Sequence, residues 1–317
     1  MREQVIYRIS HIYRDDFRVR AFLFGQGEKA LCIVGNTRGN EYQQIFICSQ
    51  VIRRLKKLEE EGRFAEGYQV MVIPSVNPSS MNIGKRFWSI DNTDINRMFP
   101  GYDLGETTQR IAAGVFDVIK QYRSGVQFTS YYMPGEYQAY VQMMHTGYED
   151  PEEARDFGLP YIVLREPRPY DTATLNYNWQ IWETKAYSIY SGRTDRISRK
   201  RAEIVVDSIE RFMICRGILK GKPSDTPPAR VFHDDELMNV RTKEAGLYHN
   251  LADINEPVSA GQVLAEVIEP CTGEVLETLK SPADGIIFYR YDKPMIYALT
   301  SAVKILKISD TQRIPSG

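Results

Sequence analysis

The chain has 317 residues, with 40 Lys and Arg against 41 Asp and Glu, for a formal charge of −1. That length suits roughly two domains of about 150 residues each, and a composition 43% hydrophobic and 26% charged is ordinary for a soluble globular protein. Near-neutral charge argues against a general nucleic-acid binder, which needs a basic face, and no run approaches the ~18 apolar residues of a membrane span.

The N-terminus is interrupted by Arg2, Glu3, Arg8, Arg14, Asp15 and Asp16, so no apolar signal-peptide core is expected. Residues 1–30 alternate in places (Val5, Tyr7, Ile9; then Phe17, Val19, Ala21, Leu23), which predicts a strand pair. Ala30–Gly35 reads as a buried strand. A helix follows with Ile47, Val51, Leu55 and Leu58 on one face, stopping at Gly62. Tyr68–Val76 is a second buried strand. Thr107 or Thr108 then caps a helix carrying Ile111, Val115, Ile119 and Tyr122. Further on come a strand at Leu159–Leu164, a helix near Thr174–Lys185, a strand at Ala186–Tyr190 and a helix ending at Gly217. Strands alternating with helices predict an α/β domain with a parallel or mixed sheet over residues 1–220.

Residues 221–230 (GKPSDTPPAR) read as a linker. Beyond it, short strand-like runs separated by turn signals predict a small all-β domain over residues 231–317. Cys32, Cys48, Cys215 and Cys271 are scattered without any CxxC, the pattern of reduced thiols in a cytoplasmic protein. Only His11, His145, His233 and His249 are present, which restricts any metal site.

The stretch richest in chemistry is Asn77–Gly101, NPSSMNIGKRFWSIDNTDINRMFPG. It follows a predicted strand, the place where α/β proteins put ligands. Arg86 and Arg97 stand near Asp91 and Asp94, and guanidinium offers fixed bidentate donors for a carboxylate. An ion-paired surface loop is the competing reading.

As an ordered string, this stretch resembles the succinylglutamate desuccinylase/aspartoacylase family of zinc-dependent deacylases, which have a metallocarboxypeptidase-like fold. The matching elements are Asn77-Pro78, Arg86-Phe87, Asp94-Ile95-Asn96-Arg97 and Phe99-Pro100-Gly101. Gly35–Glu41 falls where that family places its Gly-x-His-Gly-x-Glu metal motif. Gly246, Pro257-Val258, Gly261-Gln262, Ser281-Pro282 and Asp284-Gly285 follow the order of the family's barrel-sandwich-like β domain. The resemblance implies that Asn96 and Arg97 grip a substrate carboxylate, and that Arg86 polarises the scissile carbonyl. It also implies a small carboxylate or N-acyl amino acid as ligand.

The same resemblance exposes substitutions. Arg38 stands at the first zinc-ligand position and Glu41 survives at the second. Phe128 falls at the third, and Tyr190 at the general-base position. Protonated Arg and Phe have no lone pair for a metal. A guanidinium about 4 Å from a dication costs about 8 kcal/mol at an effective dielectric near 20. The expectation is therefore no cofactor, with Arg38 filling the metal's place and pairing with Glu41. Zinc is expected only if His145 and Glu136 join Glu41 in a rerouted site. His233–Glu236 reads as a solvated acidic run. Tyr131, Tyr132, Tyr137 and Tyr140 either wall a pocket or pack. Three functions stay open: an inactive or rewired relative that keeps a carboxylate cleft, an active metallohydrolase with a rerouted site, and a structural protein that oligomerises.

Overall fold

The computed structural model describes residues 1–10, 15–131 and 133–308, so His11 and Tyr132 lie outside the described residues. The chain divides into two compact units. The first holds residues 1–130, 139–190 and 194–231, and the second holds 131–138, 191–193 and 232–317.

The first unit is built from β1 (Arg2–Ile9), β2 (Phe17–Gly25), β3 (Gly27–Asn36), α1 (Tyr42–Glu60), β4 (Gly67–Ser75), α2 (Pro78–Met81), α3 (Thr107–Ile119), β5 (Ser124–Thr129), β6 (Glu136–Met144), α4 (Pro151–Ala154), β7 (Tyr161–Arg165), α5 (Leu175–Ile181), β8 (Lys185–Gly192), α6 (Arg199–Cys215) and β9 (Arg230–His233). Its mixed sheet runs β1-β2-β4-β3-β5-β8-β6, with β7 beside β6. The central β4-β3-β5-β8 pairings are parallel, while β1 and β2 are antiparallel.

Strand alternation explains the layering. Leu31 and Ile33 of β3 enter one apolar core with the Ile47, Val51, Leu55 and Leu58 face of α1 and with Val205, Ile209 and Phe212 of α6. Cys32 and Val34 point the other way, into a second core with Ile111, Val115 and Ile119 of α3 and Trp179 of α5. Each such side chain contributes roughly 1.5–3 kcal/mol on burial. The predicted α/β class with a mixed sheet forms, and the structure places helices on both faces.

Local departures have local causes. The cap of α3 is Glu106, one residue before Thr107, and its N–H donates to Gln109 Oε1 at 3.0 Å. Helix α5 ends at Ile181 because Glu183 takes the left-handed conformation, φ 66°. β6 was not expected, since nearly every residue of EYQAYVQMM is buried and the run lacks a two-residue polar alternation.

The second unit contains β10 (Leu237–Arg241), β11 (Gly246–Asn250), β12 (Pro257–Val258), β13 (Val263–Ile268), β14 (Val275–Lys280), β15 (Gly285–Arg290), β16 (Met295–Ile296) and β17 (Ser301–Lys307). β12, β15, β17 and β10 pair antiparallel, and a separate sheet runs β14-β13-β11-β16. Both close over Leu264, Val267, Ile287, Val303 and Ile305. Residues 131–138 join this unit because Glu136 and Tyr137 pair with Arg290 and Tyr289. Arg193 likewise reaches Asp292 at 3.2 Å. Residues 222–229 carry no helix or strand. Among the described residues, no helix is long and apolar enough to cross a membrane.

Candidate functional site

Loops at the carboxyl ends of the parallel strands β3, β4 and β5 supply the site. After β3 the chain turns through Thr37–Asn40 into α1. Gly39 is required there: its N–H donates to the Arg86 carbonyl oxygen at 3.0 Å, and a Cβ would stand 2.4 Å from the Lys85 carbonyl oxygen. That close approach fastens the Arg86 loop beside Arg38. After β4, Asn77 Oδ1 accepts from the Ser80 N–H at 3.3 Å and starts α2. Asp94 caps the 3-10 turn Ile95–Arg97, accepting the Asn96 N–H at 3.1 Å.

Arg38 and Glu41 form the expected ion pair, and Asp94 completes it. Arg38 Nη1 donates to Glu41 Oε1 at 3.3 Å. Its Nε and Nη2 fork onto Asp94 at 3.0 Å each to Oδ2, with a further 3.2 Å contact from Nε to Oδ1. Glu41 is fully buried, with its side chain 0% exposed. Its Oε2 accepts the N–H groups of Thr37 and Arg38 at 3.2 and 3.1 Å, and Ser130 Oγ donates to Oε1 at 2.6 Å. Burial pulls the Arg38 pKa down, but Glu41 and Asp94 more than offset it and the net shift is upward. Asp94→Asn should cost about 2 kcal/mol in a urea melt, since it removes charge from Arg38's bidentate partner. An unchanged midpoint would show that Glu41 alone holds the guanidinium.

Arg86 differs from its neighbours. It is half-buried, and among the described residues its guanidinium makes no hydrogen bond and no ion pair, only a contact 5.7 Å above the Phe87 ring. Burial lowers its pKa first, the charge of Arg38 lowers it further, and Glu41 and Asp94 oppose this in part. Arg97 donates from Nη1 to the Tyr170 carbonyl oxygen at 2.9 Å, lies over the Tyr170 ring, and has Nε 3.6 Å from Asp94. Asn96 is buried and its Oδ1 accepts from Gln127 Nε2 at 2.8 Å. Asp91, expected near both arginines, instead accepts the Thr93 N–H at 2.8 Å.

Phe128 corrects the expected alignment at the third ligand position. It packs in the apolar core with Val126, while Gln127 of the same strand faces Asn96. The side chain that the end of β5 brings onto Glu41 is Ser130. Strand parity was the available signal, because Val126 and Phe128 must share a face. Tyr190, in register with Thr129 at the end of β8, stacks on Tyr140 with ring centres 4.8 Å apart. Tyr137 packs against Tyr131 and Tyr289.

The side chains named for a rerouted metal site each have a partner of another kind. His145 Nδ1 lies 2.5 Å from Glu149 Oε1. Glu136 accepts from Arg290 Nη2 at 3.1 Å. Among the described residues, no group of three or more His, Cys, Asp or Glu side chains is arranged to hold a metal. Around Glu41 the partners are a guanidinium, a hydroxyl and two N–H groups, all donating. A zinc ion needs lone pairs directed inward, so this donor set does not fit one.

The succinylglutamate desuccinylase/aspartoacylase catalytic domain profile matches residues 27–124, which span β3 to the start of β5. N-alpha-acetyl-L-2,4-diaminobutyric acid deacetylase of Halomonas elongata is 24% identical over 286 residues, covering 84% of this chain and 78% of that protein. A succinylglutamate desuccinylase structure from Silicibacter sp. TM1040 superposes with TM-score 0.81 at 18% identity, covering 96% of this chain and 95% of that one. The product-bound ectoine utilization protein EutE (DoeB) from Ruegeria pomeroyi gives 0.78 at 19%, covering 95% and 93%. Residues 27–124 thus carry the pattern of the succinylglutamate desuccinylase/aspartoacylase catalytic domain, and the fold seen in solved structures described as members of that family extends along nearly the whole chain.

Proposed function

We propose that this chain binds a small carboxylate, of the N-acyl amino acid or dicarboxylic class, in a deacylase-type cleft where Arg38 takes the place of zinc. On this reading it is an inactive or rewired, cytoplasmic member of its family. The catalytic-domain match over residues 27–124 supports the deacylase framework, and the relative from Halomonas elongata is named for an N-acetyl amino acid. The observation that carries the rest is Arg86. Three guanidinium groups, of Arg38, Arg86 and Arg97, gather around the carboxylates of Glu41 and Asp94, and among the described residues Arg86 forms no ion pair with either. A half-buried, uncompensated cation attracts an anion strongly, and a carboxylate matches the guanidinium fork.

Deacylation needs an activated water and a base. Here the surviving carboxylate, Glu41, is committed to donors on both oxygens. The test is calorimetric titration with N-acetyl amino acids and dicarboxylates, with acetate release followed by NMR in the same samples. Wild type should bind, Arg86→Ala should bind at least about tenfold more weakly, and acetate should not accumulate. Turnover on the order of 1 s⁻¹ or faster would overturn the inactive reading and leave the binding reading standing. Absence of binding across the panel would remove both.

A further inference from the structure

Strand β5 carries a buried amide side chain that the family resemblance leaves without a role. Val126 and Phe128 turn into one apolar core, so Gln127 between them lies on the opposite face, in register with Val34 of β3 and Ser188 of β8. It is 2% exposed. A long amide buried on a central strand costs free energy unless its polar atoms are met. Among the described residues, the one hydrogen bond of the Gln127 side chain runs from Nε2 to Asn96 Oδ1 at 2.8 Å.

Asn96 is thereby held at two points. Asp94 Oδ1 accepts its backbone N–H at 3.1 Å, which fixes the residue in the 3-10 turn, and Gln127 fixes the plane of its amide. An asparagine amide has an acceptor end and a donor end. With Oδ1 taken by Gln127, the donor end is what remains, and Nδ2 donates to no described residue. Arg97 follows directly in the chain, and the Asp94 that caps this turn also holds Arg38. The charges of Arg38, Asp94 and Arg97 all act on Arg86. The Asn96 amide is therefore a neutral donor set among guanidinium groups, with its direction fixed before any ligand arrives.

We propose that Gln127 is a positioning residue: by donating to Asn96 Oδ1 it turns Asn96 Nδ2 toward the ligand as a preset donor to the carboxylate. This rests on the carboxylate reading of the cleft given above. A donor already locked in place loses less freedom on binding than a mobile one. An acceptor at position 127 would reverse the amide and present Oδ1, which repels a carboxylate.

The test is calorimetric titration of the full chain with glutarate and N-acetylglycine, for wild type, Gln127→Leu, Gln127→Glu, Asn96→Ala and Gln127→Leu combined with Asn96→Ala. Gln127→Leu should bind about fivefold more weakly than wild type, and Gln127→Glu at least about tenfold more weakly. In the Asn96→Ala background, Gln127→Leu should cost no more than about a further twofold, because its effect passes through Asn96. A glutamine that only supports the strand would show the same loss in both backgrounds. A second readout needs no variant of Gln127 to fold: in ¹⁵N spectra of wild type, either probe should move the Asn96 Nδ2 resonances. Equal affinity in wild type and Gln127→Leu, or equal losses with and without Asn96, would overturn the positioning role and leave the carboxylate reading intact. Movement of the Gln127 Nε2 resonances with those of Asn96 unmoved would overturn it too, since the two amides would then face the other way. A wild type that binds neither probe would overturn the proposal together with the reading on which it rests.

Discussion

Arg38→Ala should lower the unfolding free energy by about 3–5 kcal/mol, the usual cost of removing one partner of a buried ion pair. The cost lies less in the lost contacts than in what remains. Glu41 is fully buried, and without the guanidinium its negative charge is left with two backbone N–H groups and the Ser130 hydroxyl. Asp94 loses its bidentate partner at the same time. Urea melts measure the effect directly. Arg38→Met combined with Glu41→Gln should recover part of it, because replacing both charges leaves no uncompensated ion at that point. A loss below about 1 kcal/mol for the single substitution would show that Arg86 swings in to neutralise Glu41, and the cleft would then have no free cation.

Binding of a carboxylate at Arg86 gives the second large effect. At a ligand concentration 100 times the dissociation constant, the folded state gains about 2.7 kcal/mol, which corresponds to roughly 5–10 °C in Tm for a domain of this size. The gain should vanish in Arg86→Ala and shrink in Arg97→Ala, whose guanidinium is already held by Tyr170 and Asp94. Arg86→Lys keeps the charge but not the fork and should retain only part of the shift. A thermal-shift series over N-acetyl amino acids and dicarboxylates reads all four proteins together. Equal shifts in wild type and Arg86→Ala would move the ligand elsewhere on the chain.

Much of the first unit could be read from apolar periodicity, because α1, α3 and α6 each turn one stripe to a core and β3 and β4 are continuous apolar runs. β6 could not, since its residues are buried without alternating. The site was legible in part. Arg38 with Glu41 followed from the family resemblance, which sets a cation beside the one anionic ligand position that survives. Asp94 as the main anchor of Arg38 depends on a contact between residues 56 positions apart, and no local pattern encodes it. Ser130 was hidden by a shifted alignment: placing Phe128 at the ligand position overlooked that its strand neighbour Val126 already belonged to the core.

On the proposed reading, a guanidinium anchored by Glu41 and Asp94 stands where the family resemblance places zinc. Metal analysis by mass spectrometry of protein purified without chelators and dialysed against micromolar zinc tests it most directly. The expected result is far less than one equivalent of zinc per chain, the same content in Glu41→Ala, and a Tm unmoved by EDTA. One equivalent per chain that is lost in Glu41→Ala would contradict it, showing that Arg38 gives way and that the cleft still assembles a metal centre.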